Sequence, residues 1–289
     1  MTRSPGKQFR TALAEAHPLQ IMGTPNAYCA IMAKQIGIKS IYLSGGALAA
    51  MSYGLPDLGI TTLEDVLVDV RRITDAVDTP LLVDIDTGWG SMFNIQRAIR
   101  QMTKYGAAAV HIEDQIFAKR CGHRPNKELV SKEEMVDRVT AAVSAKTDPD
   151  FFIIARTDAV ASEGMSAAIE RAQAYQDAGA DGIFAEAVTE LVDYQIFAQA
   201  LDIPVLANIT EFGKTALFTA EELSEVGIKM MLYPLTAARM MNQAALKCYQ
   251  TVKIKGTQAE LIHHMQTREE LYTFLGYHAY EDALDKLRK

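Results

Sequence analysis

Cysteine is scarce in this chain, and long apolar runs do not occur in it. The 289 residues include three cysteines, Cys29, Cys121 and Cys248, which are odd in number and far apart. This pattern argues against a disulfide framework and a tetrahedral zinc site. No apolar run approaches the roughly 18 residues that cross a bilayer, and the polar start Met1–Lys7 has no apolar signal core. We therefore expect no membrane partner and a cytoplasmic location, or an organelle reached with a leader since removed.

Positive charge is also in the minority. The chain has 29 lysines and arginines against 36 aspartates and glutamates, for a formal net charge of −7. Such a balance argues against a nucleic-acid-binding surface and against a polybasic membrane anchor. A local cluster of basic side chains is therefore exceptional here, and it suggests a binding place for a small anion.

One such cluster surrounds a cysteine. The segment from Ala118 to Asn126 reads Ala-Lys-Arg-Cys-Gly-His-Arg-Pro-Asn and places Cys121 among four basic side chains, beside Gly122. Cationic neighbours lower the pKa of a thiol from its usual value of about 8.5, which prepares it for proton transfer or nucleophilic attack. The alternative is a basic surface loop with an incidental cysteine.

Short apolar runs alternate with helical patterns along most of the chain. Eight runs of near-continuous apolar character predict parallel strands that are covered on both faces. They are Leu19–Gly23, Ser40–Ser44, Leu81–Asp86, Ala107–Glu113, Phe151–Arg156, Asp181–Glu186, Ile203–Asn208 and Lys229–Tyr233. Amphipathic stretches between them predict helices, for example Thr62–Val77, Lys132–Ala145, Met165–Ala178 and Ala220–Val226. This alternation predicts an α/β fold, a closed (β/α)8 TIM barrel. A doubly wound open sheet is the alternative, but no G-x-G-x-x-G follows the first strand.

The pattern changes after Pro234. Leu235–Thr251 and Leu261–Arg288 predict helices with no further strand between them. Helices that remain after a barrel closes usually pack against it or against another subunit. We therefore expect a single domain over residues 1–289, with the barrel at about 1–240 and a helical tail at about 241–289.

Polar residues follow the predicted strands at the ends that form the active site of a β/α barrel. Asp84 and Asp86 are two residues apart on a strand, so their side chains leave from one face. Two carboxylates so close repel each other unless a cation lies between them, and oxygen ligands suit Mg²⁺ or Mn²⁺. The alternative is a strand-end aspartate that caps the next turn. Glu113 shares a face with His111 and is a candidate for the outer ligands of the metal.

Candidate anion-binding groups end two other predicted strands. Ser44-Gly45-Gly46 allows backbone amides to approach a carboxylate or phosphate closely. The alternative is that these residues form a plain tight turn without a ligand. Arg156 can bind a carboxylate through two nitrogens, or it can pair with Asp158 or Glu186 as a structural bridge. Tyr42 is either a proton acceptor or a packing residue.

These groups together suit a polyanionic substrate. A divalent metal can chelate a 2-hydroxy or 2-oxo acid and stabilise an alkoxide there. Cleavage of the neighbouring C–C bond leaves a carbanion whose charge Arg156 and backbone amides can stabilise. Cys121 on a closing loop, with Gly122 as a hinge, is an acid for the final protonation. The residues alone therefore predict a metal-dependent retro-aldol lyase that acts on a di- or tricarboxylate.

Seven motifs carry a resemblance to a known family. They are Tyr42-Leu43-Ser44-Gly45-Gly46, Leu55-Pro56-Asp57-Leu58-Gly59, Val83-Asp84-Ile85-Asp86-Thr87-Gly88, His111-Ile112-Glu113-Asp114-Gln115, Lys119-Arg120-Cys121-Gly122-His123, Ile154-Ala155-Arg156-Thr157-Asp158 and Asn208-Ile209-Thr210-Glu211-Phe212-Gly213. On these motifs the chain resembles the isocitrate lyase/phosphoenolpyruvate mutase superfamily from about Ser4 to Leu287, and within it the 2-methylisocitrate lyase family most closely.

The resemblance implies roles for particular residues. Asp84 and Asp86 would hold Mg²⁺, or Mn²⁺, with Asp57 and Glu113 close by through water. Cys121 would protonate the departing succinate, and Tyr42, Glu113 and His123 are the other catalytic candidates. The residues expected to bind substrate are Ser44, Gly45, Gly46, Cys121, Gly122, Arg156, Glu186, Asn208, Ile209, Thr210, Arg239 and Arg268. Which group takes the hydroxyl proton of the substrate stays open between Tyr42, Glu113 and a metal-bound hydroxide.

The resemblance also implies a reaction and an assembly. The family reaction splits 2-methylisocitrate into pyruvate and succinate in the methylcitrate cycle of propionate breakdown, and family members are homotetramers that swap a helix. Gly88-Trp89-Gly90 and Ala185 depart from the usual pattern, whereas Phe184 leaves room for the methyl group of the substrate. The alternatives are a relative that acts on isocitrate or oxaloacetate, and a non-catalytic barrel that binds a metal–dicarboxylate complex.

Overall fold

The computed structural model describes residues 3–122 and 126–288, and within them eight parallel strands form a closed barrel in chain order. The strands are β1 Leu19–Gly23, β2 Ser40–Leu43, β3 Leu81–Asp84, β4 Ala109–Glu113, β5 Phe152–Thr157, β6 Gly182–Ala185, β7 Val205–Asn208 and β8 Met230–Tyr233. β8 pairs with β1, with Met230 opposite Leu19, and this pairing closes the sheet. The (β/α)8 barrel predicted from the sequence is confirmed. The ends of each predicted strand lie within two residues of the ends of the observed strand.

Helices connect the strands and cover the outside of the barrel. They are α1 Pro5–Glu15, α2 Ala27–Gln35, α3 Gly45–Tyr53, α4 Leu63–Ala76, α5 Met92–Lys104, α6 Lys132–Ser144, α7 Val160–Glu163, α8 Met165–Asp177, α9 Leu191–Ala200, α10 Ala220–Glu225, α11 Thr236–Lys255, α12 Arg268–Leu275 and α13 Tyr277–Leu287. A 3₁₀ turn spans Ala259–His264. Local sequence sets several starts: Thr62 and Asp65 form a reciprocal capping box at α4, which satisfies backbone donors that the helix leaves unpaired.

The period of two along each strand determines which residues face the barrel interior. Leu82, Ile154 and Leu206 belong to the inner apolar cluster, which Phe9 of α1 closes at the amino end of the barrel, 5.0 Å from the ring of Phe152. The residues two positions further along β3, β5 and β7 are polar and are Asp84, Arg156 and Asn208. The apolar interior layer therefore continues into a polar one at the carboxyl ends of the strands.

The tail differs from its prediction. The sequence predicts one helix over Leu261–Arg288, and this is wrong: the segment contains part of the 3₁₀ turn followed by α12 and α13. Thr267 and Glu270 form a capping box that starts α12, and Gly276 ends it with a left-handed φ of 64°, a conformation that glycine adopts without steric cost. α11 runs from Thr236 to Lys255, across the approximate boundary at residue 240 between barrel and tail.

The tail returns to the barrel at α2. The Tyr28 hydroxyl donates a hydrogen bond to Gln266 Oε1 at 2.7 Å, and Gln35 Nε2 donates to the Phe274 carbonyl at 3.0 Å. Among the residues described, none of the helices combines the length and the apolar character that a membrane crossing requires.

Candidate active site at the carboxyl ends of the strands

A cavity of about 290 Å³ opens at the carboxyl ends of the strands. Most of the residues predicted from the sequence line it: Tyr42, Ser44, Gly46, Asp57, Asp84, Cys121, Gly122, Arg156, Glu186, Asn208, Thr210 and Arg239. Gly45, Asp86, Glu113 and Ile209 lie directly beside lining residues in sequence or in space, whereas Arg268 begins α12 in the tail, is exposed, and does not line the cavity. His123 lies outside the described residues.

The two aspartates after β3 converge, as their spacing predicts. A Cβ atom built on Gly45 would lie 3.0 Å from Asp84 Oδ2 and 3.4 Å from Asp86 Oδ1, so both carboxylates point to this glycine. Asp84 is fixed by the backbone amides of Gly45 and Asp86, each 3.0 Å from one of its oxygens. Asp86 reaches this position with a left-handed φ of 47°. Aspartate tolerates this conformation in turns better than most residues, and positive φ values of residues other than glycine are also enriched at functional sites.

A buried ammonium group lies among these carboxylates. Lys119 Nζ is 2.6 Å from Asp86 Oδ1 and 2.6 Å from Asp57 Oδ1, and its side chain is 5% exposed. The sequence places Lys119 in the basic segment but does not show that it pairs with the aspartates. The spacing of Asp84 and Asp86 predicts a cation between their carboxylates, and the Lys119 ammonium supplies part of that positive charge.

The two carboxylates have different proton affinities. Burial favours the neutral form of Asp84, but His111, Lys119 and Arg156 outweigh it and lower its pKa to about 2. Burial and the negative charge of Asp84 raise the pKa of Asp86 to about 6, although Lys119 acts in the opposite direction. The pair therefore keeps an excess of negative potential that a second cation would neutralise.

The donor set fits a small divalent ion. Within the described residues, no group of three or more His, Cys, Asp or Glu side chains is arranged as a complete metal cage. Mg²⁺ needs no such cage, because it is usually bound by one or two carboxylates, with water and substrate oxygens completing the shell. The buried Asp86 Oδ1 has no well-aligned hydrogen bond to a described group, although it lies beside the Lys119 ammonium. Asp84 and Asp86 are thus the residues that would hold the ion, with Asp57 beside them.

Tyr42 and His111 form a buried polar contact next to the aspartates. The Tyr42 hydroxyl lies 2.9 Å from His111 Nε2 and 3.4 Å from Asp84 Oδ2. Burial, followed by the charge of Asp84, raises the pKa of Tyr42 well above its usual value. Burial also lowers the pKa of His111 to about 4, despite the nearby Asp84. Both groups are therefore neutral near pH 7.

Arg156 forms the structural bridge to Asp158 that its sequence left open, and it also lines the cavity. Its Nε and Nη2 donate to Asp158 Oδ2 and Oδ1 at 2.9 and 3.0 Å, and its Nη1 lies 3.2 Å from Glu113 Oε2. The guanidinium also lies 5.0 Å from the ring centre of Phe184 and lines the cavity. Burial raises the pKa of Glu113 well above its usual value, with Arg156 acting against it. The structural bridge to Asp158 thus orients the guanidinium toward the cavity.

The cysteine loop is packed directly onto this arginine. A Cβ atom on Gly122 would lie 2.4 Å from Arg156 Nη2 and 2.5 Å from Glu186 Oε1, so only glycine allows the backbone this close. The Gln115 amide accepts from the Arg120 N–H at 3.0 Å and donates to its carbonyl at 2.9 Å, which fixes the loop before Cys121. Cys121 is half-buried and lines both the main cavity and an adjoining opening near Asp57. The basic segment is therefore part of the site.

The opposite wall of the cavity carries hydrogen-bonding side chains. Asn208 Nδ2 donates to Glu186 Oε2 at 3.2 Å, and Arg239 Nη1 lies 2.7 Å from Glu211 Oε2 and 3.3 Å from Thr210 Oγ1. Apolar lining residues that sequence reasoning missed as parts of the site are Leu232, Pro234, Leu235 and Phe212. Leu232 lies two residues beyond the buried Met230 on β8, and this period was the available signal.

Known proteins resemble the chain over nearly its whole length. A family model described as phosphoenolpyruvate phosphomutase matches residues 9–253. A Vibrio cholerae protein named 2-methylisocitrate lyase is 61% identical, and the match covers 99% of this chain and 95% of that protein. A crystal structure of 2,3-dimethylmalate lyase has a TM-score of 0.90 and 31% identity, covering 98% of this chain and 95% of that chain. A phosphonopyruvate hydrolase in complex with oxalate and Mg²⁺ has a TM-score of 0.88 and 27% identity, covering 99% and 100%.

Proposed function

The chain belongs to the phosphoenolpyruvate phosphomutase family and is a carbon–carbon lyase, and from that premise we propose that it cleaves 2-methylisocitrate to pyruvate and succinate. The reaction would be a metal-dependent retro-aldol cleavage, and its place would be the methylcitrate cycle of propionate catabolism. The observation that carries the proposal is the meeting of Asp84, Arg156 and Cys121 around one cavity of about 290 Å³. These three groups supply metal binding, carboxylate binding and an acid.

The metal would be held by Asp84 and Asp86, and when bound it supplies a Lewis acid for the hydroxyl and carboxylate oxygens of the substrate. We propose Mg²⁺, which the phosphonopyruvate hydrolase binds together with oxalate. Mn²⁺ has similar ligand preferences and is the alternative. The high proton affinity of Asp86 beside an ionised Asp84 favours binding of an added cation.

The remaining groups bind the substrate and move its protons. Arg156, which Asp158 orients, pairs with a carboxylate and stabilises the negative charge that develops when the C–C bond breaks. Cys121 then donates its thiol proton to the carbanion carbon of the succinate fragment. Tyr42 lines the cavity and Glu113 does not, so we assign the uptake of the substrate hydroxyl proton to a relay that begins at Tyr42. The neutral Tyr42 Oη accepts that proton while its own O–H proton passes to His111 Nε2, 2.9 Å away.

The apolar part of the wall favours a substrate that carries a methyl group. Phe184 and Leu232 line the cavity beside the polar groups. A methyl group in an apolar pocket contributes about 1–3 kcal/mol, which distinguishes 2-methylisocitrate from isocitrate by a factor of about 10 to 200. The 2,3-dimethylmalate lyase shares this fold and, by its name, acts on another methylated 2-hydroxy acid. A methylated substrate is therefore preferred over isocitrate or oxaloacetate.

Parallel turnover assays test the proposal. The purified protein is incubated with 2-methylisocitrate and with isocitrate, each with Mg²⁺, with Mn²⁺ and with chelator. Release of pyruvate from the first substrate, with little glyoxylate from the second and none in chelator, is the expected result. Dominant glyoxylate release would assign the protein to isocitrate, and an absence of metal-dependent turnover on both would refute the proposed activity.

We also propose that the chain assembles with copies of itself through its tail. α11 buries only Ala238, and apolar side chains along the tail are exposed, among them Tyr249 at 71%, Ile254 at 80% and Tyr280 at 75%. Large exposed apolar surfaces on a protein often mark an interaction with another protein. Light scattering after size exclusion should give the mass of a tetramer, and Ile254→Glu should lower it. Phe93→Glu, at an 80% exposed position on α5, is the matched control, and a monomeric parent protein would refute this assembly.

A further inference from the structure

Lys127 is a buried cation that the mechanism above does not use. Its side chain is 3% exposed, although the sequence places it in a polar segment directly after the basic cluster. Lys127 Nζ donates to the Gly122 carbonyl at 2.7 Å and lies 2.5 Å from Asp158 Oδ1. One ammonium group therefore joins the backbone beside Cys121 to a side chain at the end of β5.

Its partner, Asp158, is held firmly from the other side. The side chain of Asp158 is fully buried and accepts two hydrogen bonds from Arg156. Its backbone N–H donates to Asp114 Oδ1 at 2.9 Å, and Asp114 Oδ2 accepts from Thr157 Oγ1 and from the Tyr175 hydroxyl. Asp158 is thus fixed in position, and Lys127 transfers that position to the loop.

The carbonyl that Lys127 holds belongs to the residue with the closest packing in the site. Gly122 leaves no room for a Cβ atom against Arg156 and Glu186, and Cys121 precedes it in the chain. A small shift of Gly122 would therefore move the thiol relative to the guanidinium. Loss of the Lys127 charge would also leave Arg156, whose Nη1 already lies 3.2 Å from Glu113 Oε2, as the main partner of the Asp158 side chain.

We propose that Lys127 is a positioning residue, which fixes the distance between the Cys121 thiol and the Arg156 guanidinium by clamping Gly122 to Asp158. The inference rests on the proposed function for its effect on turnover, but the clamp itself is a property of the folded chain. Lys127 touches neither the cavity nor a reacting group. It acts through Gly122 and Arg156.

Lys127→Met keeps the length of the side chain and removes the ammonium group. Two readouts are needed: kcat and KM with 2-methylisocitrate and Mg²⁺, and the rate at which iodoacetamide alkylates Cys121 across a pH series. Mass spectrometry of the modified peptide separates Cys121 from Cys29 and Cys248. Because a misplacement of about 1 Å can reduce rates by about 100-fold, we expect kcat to fall by about that factor. We expect KM to change much less, and we expect faster alkylation of Cys121 because the half-buried thiol is released.

A matched control and a second variant keep the test decisive. Lys132→Met removes an exposed ammonium group that pairs with Glu170 outside the site, and it should leave both readouts unchanged. Lys127→Arg retains the charge and should recover part of kcat; if Lys127→Met does not fold, Lys127→Gln is measured in its place. An unchanged alkylation rate in Lys127→Met, with kcat within threefold of wild type, would overturn the proposal. A loss of activity in Lys127→Met that is no larger than its loss of folded protein would also overturn it. Absence of wild-type turnover would count against the proposed function, while the alkylation rates would still test the clamp.

Discussion

Replacement of Gly122 by alanine tests the close packing of the cysteine loop directly. The backbone of Gly122 lies outside the left-handed region, so alanine can adopt its conformation and the only consequence is steric. The new methyl group would lie 2.4 Å from Arg156 Nη2 and 2.5 Å from Glu186 Oε1. Such distances are well inside van der Waals contact, so at least one of the three groups must move.

The magnitude follows from how firmly those groups are held. Arg156 is bound by Asp158 through two hydrogen bonds, and Glu186 accepts from Asn208, so neither side chain yields without the loss of a contact. Overpacking of this kind costs about 1–3 kcal/mol. When the displaced loop destabilises the transition state by the same 1–3 kcal/mol, kcat/KM falls by about 5- to 150-fold.

The assay is kcat/KM for 2-methylisocitrate with saturating Mg²⁺, accompanied by thermal unfolding. Gly37→Ala is the control, because Gly37 has a φ of +89° and no atom lies within 4 Å of the position that a methyl group would take there. We expect Gly37→Ala to lower thermal stability through backbone strain and to leave kcat/KM unchanged, whereas Gly122→Ala lowers kcat/KM. Retention of kcat/KM within twofold in Gly122→Ala would refute the argument that this packing places the thiol.

Three further predictions concern single side chains of the site. Cys121→Ser should reduce turnover by about 10²- to 10⁴-fold, the usual contribution of a general acid, while Mg²⁺-dependent succinate binding in calorimetry persists; wild-type turnover would exclude the assigned role. Lys119→Met should tighten Mg²⁺ binding by calorimetry, because the ammonium group and the metal compete for Asp57 and Asp86, and unchanged or weaker binding would contradict this competition. His111 has a folded pKa of about 4, below its unfolded value, so the unfolded state binds more protons and stability is lost as the pH falls from about 6.5 towards 4. Relative to His111→Gln, the wild type should lose on the order of 2 kcal/mol in denaturant unfolding between pH 7 and about 5, and parallel pH profiles would show that His111 does not titrate in this way.

Much of the barrel could be predicted from the sequence because strand and helix periods are local properties. Each strand is a short apolar run, and the position of Asp84 two residues after the inward-facing Leu82 already implies that the carboxylate faces the mouth of the barrel. The resemblance to the superfamily is confirmed by full-length relatives, and the predicted lyase class is confirmed with it. The individual catalytic and binding roles stay predictions, although most of the residues concerned line one cavity.

The partners of the charged groups could not be predicted. Lys119 lies 62 residues from Asp57 in the chain, and Lys127 lies 31 residues from Asp158. The basic segment marks Lys119 as unusual, but nothing in the local sequence of either lysine shows which carboxylate it meets. The break of the tail at Gly276 has a local signal in glycine, which the predicted helix over Leu261–Arg288 does not take into account. Arg268 does not line the cavity in the single chain, and its predicted contact with the substrate depends on the assembly that we propose.

The sequence by itself determined the order of strands and helices and the residue types at the strand ends, because periodicity and apolar runs act over a few neighbouring residues. Only the tertiary structure decided which charges neutralise one another, that Gly122 has no room for a side chain, and that Lys119 and Lys127 are buried. These features arise when loops from different strands meet at one end of the barrel, where distance in space no longer follows distance along the chain.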